Sequence, residues 1–151
     1  MRIRPFLLTF ALVLLTAGIA RADLDAYLHS LNISAEGDIG GFRTQVGAHF
    51  GASGPQIDLV FRSVDYPADA AVCFWLAVHS GKPVEMVVRE YRSRKGQGWG
   101  ALAKSLGIKP GSAEFHALKQ GHLGWEAKNA PGGRGNGGGG AKGNGKGNGK
   151  N

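Results

Sequence analysis

The chain has 151 residues, 42% of them hydrophobic, with one cysteine and a formal net charge of +7. A single cysteine excludes an internal disulfide, so a hydrophobic core must hold the fold alone, and the length suits one such core. The charge is uneven: residues 1–22 carry +3, residues 23–126 carry −1 and residues 127–151 carry +5, so the basic balance describes the two ends and not the body.

The chain opens with Arg2 and Arg4, an apolar run from Phe6 to Ala20, and then Ala20-Arg21-Ala22 before the polar Asp23. A positive start, an apolar middle and small residues around the cut are the layout of a secretory signal peptide. The run falls short of the ~20 apolar residues a membrane span requires. Cleavage after Ala22 is expected, giving an exported protein of the periplasm or the outside with no transmembrane segment. The residue directly after the cut is Asp23, not the cysteine that a lipid anchor would require.

Residues 23–126 are expected to form one all-α domain, a compact bundle of five to six short helices. The opening "DLDAYLHSLNIS" fits either a helix, on Leu24, Leu28 and Leu31, or an extended arm. Ile39, Phe42, Val46 and Phe50 mark a buried helical stripe. Ser53 and Pro55 start the next helix, whose inner face is Ile57, Val60, Phe61 and Val64. Asp65 and Pro67 repeat the start signal before "ADAAVCFWLAVHSG", which is apolar on nearly every face and belongs in the middle of the bundle. Gly81 caps it, and Pro83 precedes a helix carrying Val84, Val87, Val88 and Tyr91 inside, with a Glu85–Arg89 pair outside. Trp99, Leu102 and Leu106 define a helix stopped by Gly107 and Ile108, and Ser112 caps a last one on Phe115 and Leu118.

These last two segments are helix-turn-helix-like: Ala103, Gly107 and Ile108 stand where that motif has a small residue, a glycine and an apolar residue. The turn "IKPGS" is longer than the motif allows, and "SAEFHALKQG" puts Glu114 where a recognition helix would meet phosphate. Nucleic-acid binding through residues 98–120 is therefore the secondary reading, and sequence-specific DNA is not an expected partner.

The block "GWGALAKSLGIKPGSAEFHALKQG", with "LNISAEGDIGGF" and "SVDYPADA" upstream, resembles a group of small exported bacterial proteins. Members carry a GWGxLAKxLGIKPGSxEFHxLK block and a Gly/Lys-rich C-terminal tail. The resemblance implies export and a single domain, and no reaction or ligand.

Chemistry-bearing residues are scattered. The five histidines show neither an i, i+4 pair nor a zinc spacing, and no catalytic constellation or cofactor motif is present. His116 and His122 flank Leu118 and could meet near Trp125, a weak metal reading at best. Cys73 reads as a small buried hydrophobe, with an intermolecular disulfide as the alternative. Asp65 and Asp69 read as helix-start charges. Arg89, Arg92, Arg94 and Lys95 form the body's one basic cluster, either a solvated helix end or an anion site beside Trp99.

Residues 127–151 contain 11 glycines, 5 asparagines and the cations Lys128, Arg134, Lys142, Lys146 and Lys150. Such a segment buries too little surface to offset its ordering entropy and is expected to be disordered. The expected function is that of an exported, non-enzymatic module. Its tail, with the Arg89–Lys95 cluster, would adhere to anionic polymers of the cell envelope or matrix.

Overall fold

The computed structural model describes residues 8–125, with side chains from Asp23 onward. The described residues form an all-helical bundle with no strand: α1 (Leu8–Gly37), α2 (Ile39–Phe50), α3 (Gly54–Ser63), α4 (Pro67–Ser80), α5 (Val84–Ser93), α6 (Trp99–Ser105) and α7 (Ala113–Lys119). The expected helices are all present, and the ambiguous opening segment adds a seventh as part of α1. Leu24, Leu28, Leu31 and Ala35 share one buried face of α1, which decides for helix over extended arm. No helix among the described residues is long and apolar enough to cross a membrane. The Gly/Lys-rich tail lies outside the described residues.

The central position of α4 follows from its composition. Residues 68–76 are buried without interruption, and the helix packs against α1, α2, α3 and α5. Its first turn solves a satisfaction problem. Pro67 has no N–H to leave orphaned, and the Ala68 N–H donates to Asn32 Oδ1 of α1 at 2.8 Å. The N-cap is Tyr66, so Asp65 is not the capping residue that its place before Pro67 suggests. Cys73 is enclosed in this helix and burial pushes its thiol upward, so the folded body presents no thiolate to a second chain.

The surrounding helices follow their periodicity with two departures. Ile39, counted in the stripe of α2, sits in the first turn and is 49% exposed, while Phe42 and Val46 carry the burial. The Glu85–Arg89 pair does not form; the i, i+4 pair on α5 is Arg94 Nε with Glu90 Oε2 at 2.8 Å. In α3 the cap is reciprocal, with Gln56 Oε1 accepting from the Ser53 N–H at 3.1 Å.

The α6–α7 corner is built from two successive turns. The Ile108 N–H donates to the Ala103 carbonyl and the Gly107 N–H to that of Lys104, both at 3.0 Å, the paired bonds of a Schellman stop. A second turn closes with the Ser112 N–H on the Lys109 carbonyl at 3.0 Å, with Pro110 and Gly111 (φ 87) at its centre. Ser112 then caps α7 by accepting from the Phe115 N–H at 3.2 Å. Two turns in series explain why this connection outgrows the DNA-binding motif.

The C-terminal end of the body folds back on α1. A Cβ at Gly121 would stand 2.8 Å from that of Tyr27, so only glycine permits this approach, at φ 69. The Tyr27 hydroxyl donates to the Trp125 carbonyl. The Trp125 ring meets Phe42 edge-on at 5.4 Å and lies within 6.3 Å of Phe50.

Candidate functional site

Where α4, α5 and the 94–99 connection converge, the fold leaves a cleft of about 360 Å³. Asp65, Asp69, Tyr91, Lys95 and Trp99 line it, with Tyr66 at its edge, 62% exposed. Each arrives for a local reason. Asp65 and Tyr66 precede the proline that opens α4, and Asp69 falls in its first turn. Tyr91 closes the apolar stripe of α5, and Trp99 is the first residue of α6.

The Tyr91 hydroxyl is the hub. It donates to Asp69 Oδ2 at 2.7 Å, has Asp65 Oδ2 3.5 Å away, and lies 3.4 Å from the Asp65 N–H. Lys95 Nζ donates to the other Asp65 oxygen at 2.7 Å. Trp99 stacks on the Tyr91 ring, with centroids 5.5 Å apart and planes inclined by 29°. Burial holds the Asp69 carboxyl above its ordinary 3.8, partly offset by the bonds from Tyr91 and the Tyr66 backbone and reinforced by the charge of Asp65. Burial, then Asp69, pushes the Tyr91 phenol upward, so it stays a donor at neutral pH.

A second cavity of about 330 Å³ adjoins this one and shares Asp25, Gly96, Gly98 and Trp99 with it. The two form one groove with Trp99 at their common wall. Asp25, on α1, is exposed, and its side chain makes no hydrogen bond or ion pair with any described residue.

The basic cluster expected from the sequence divides here. Arg94 is tied to Glu90, whose carboxyl it holds below the ordinary value, and Lys95 is tied to Asp65. Arg89 and Arg92 are exposed on α5 and form no ion pair with the described residues. Lys128, Arg134, Lys142, Lys146 and Lys150 lie outside the described residues. No group of three or more His, Cys, Asp or Glu is placed to hold a metal ion among the described residues. Trp125 has His49 as its imidazole neighbour, with ring centroids 6.1 Å apart.

Sequence reasoning missed the cleft because its members are read separately as helix-start charges and core markers. One signal was available: Asp69 is the only charged residue in "PADAAVCFWLAV", and a lone carboxylate in an otherwise apolar helix needs a partner. No family model, curated protein or solved structure matches the chain.

Proposed function

We propose that the chain is an exported helical module that acts by binding, held on anionic polymers of the envelope or surrounding matrix by its cations. The observation that supports this reading is the division of the basic cluster. Arg94 and Lys95 are spent on carboxylates of the body, whereas Arg89 and Arg92 stand exposed on one short helix with no ion pair among the described residues. Together with the five cations of residues 127–151 they make a footprint suited to sequence-blind contact with repeated phosphates or carboxylates. Such contact releases counterions, so affinity falls steeply as salt rises.

The test is binding of the full chain to duplex DNA and to a non-nucleic polyanion such as polyphosphate across a salt series. The expected result is a similar salt dependence on both polymers. Replacing the five tail cations by glutamine is expected to weaken binding at least about tenfold at low salt, since several phosphate contacts are lost together. Binding that survives this replacement and prefers duplex DNA overturns the reading in favour of residues 98–120 as a DNA-contacting pair.

A further inference from the structure

The cationic footprint leaves the groove on either side of Trp99 without a role. Its chemistry is also unsuited to a polyanion: Lys95 is already paired with Asp65 and Arg94 with Glu90, and Lys119, the remaining cation of the lining, lies over the Phe115 ring. We propose that this groove is a saccharide-binding site, in which a short stretch of glycan lies across Trp99 between the two cavities.

Three features converge on that ligand class. The first is shape: two cavities of about 360 and 330 Å³ meet at one tryptophan, giving an elongated trough suited to successive units of a chain. The second is the wall they share. Trp99 is half-buried and backed by Tyr91, which braces the indole while leaving part of it in the groove. An aromatic surface of this kind packs against the C–H face of a pyranose ring, and Tyr66 offers a second such surface at one edge.

The third feature is the polar complement. The Asp25 carboxylate accepts, the Tyr66 hydroxyl does both, and the Gln97 amide in the second cavity does both. Across the two cavities the carboxyl groups of Asp25, Asp65 and Asp69 stand with the cations Arg94, Lys95 and Lys119. The trough thus balances its own charge and asks for hydroxyl groups rather than for a net charge of either sign.

This inference stands apart from the cationic reading, and its test separates the two. Of the three tryptophans, Trp75 and Trp125 are 2% and 7% exposed, so Trp99 is the one whose emission a ligand in the groove would change. The full chain is titrated with chitotetraose, cellotetraose and maltotetraose at about 0.05 M and about 0.5 M NaCl, which spans strong and weak screening. The expected result is a saturable emission change with at least one of them, unaltered by salt, with a dissociation constant in the range of about 1 mM or tighter.

Trp99→Phe and Asp25→Asn are then compared by calorimetry, with circular dichroism as the check on folding. Each is expected to weaken binding at least about tenfold, a difference that calorimetry resolves. The Asp25 side chain has no partner among the described residues, so its variant keeps the fold even where the tryptophan variant does not. Arg89→Glu with Arg92→Glu is expected to leave saccharide binding unchanged. The inference is overturned if none of the three sugars gives a saturable change. It is overturned equally if Asp25→Asn binds like the parent, or if high salt and the arginine changes abolish the binding.

Discussion

Asp69 is a carboxylate where the helix around it is apolar, and its titration is the clearest consequence at the scale of one residue. Its folded-state pKa is raised by burial, so the stability attached to it is complete below the unfolded carboxyl value and is lost as pH rises through the folded-state value. Asp69→Asn keeps an acceptor for the Tyr91 hydroxyl and removes the ionisation. The variant is expected to melt above the parent at pH 7 and together with it at pH 3; equal melting at both pH values would mean that the charge costs nothing. Gly121 gives a second residue-scale prediction. Gly121→Ala adds a Cβ 2.8 Å from that of Tyr27 at a left-handed φ, and is expected to cost about 1–3 kcal/mol in denaturant unfolding. Asp69 is marked in the sequence by its apolar surroundings, whereas Gly121 is not. Gly121 reads as an unremarkable glycine after a helix, and its necessity comes from α1, nearly a whole domain away.

At the scale of elements, periodicity and start signals were enough to place α2 to α7, because α4 is apolar nearly all round, the others each bury a stripe, and proline, serine or glycine marks a boundary of each. They were not enough to say how α4 begins. Asp65 is the natural capping candidate, yet the acceptor for the first available N–H comes from Asn32 on another helix, and no local pattern encodes that. Asn32→Ala is expected to destabilise the body by about 1–2 kcal/mol, the scale of a lost N-cap. Hydrogen exchange at Ala68 is the sharper readout, since it should accelerate more than that of amides in the middle of α4. The α6–α7 connection shows the converse. The residues "GIKPGS" specify two turns in series, and the structure builds both.

For the whole molecule, an all-helical body with α4 at its centre was legible from composition and pattern, and the groove was not. Asp65, Asp69, Tyr91 and Trp99 come from three segments, and what joins them is the packing of α5 against α4 and α6. The export expectation has its own test at this scale. The protein recovered from outside the cytoplasm is expected to begin at Asp23 by N-terminal sequencing. A chain recovered with Met1 intact would refute processing at that point.

The bond from Tyr27 to Trp125 joins residues 98 apart in sequence. A polypeptide is made from its N-terminus, so α1 waits for its last partner until nearly the entire body has been synthesised. Final closure is therefore an event of the finished chain and cannot occur while the body is still emerging from the ribosome. Until Trp125 arrives, the aromatic pocket formed by Phe42 and Phe50 has no lid.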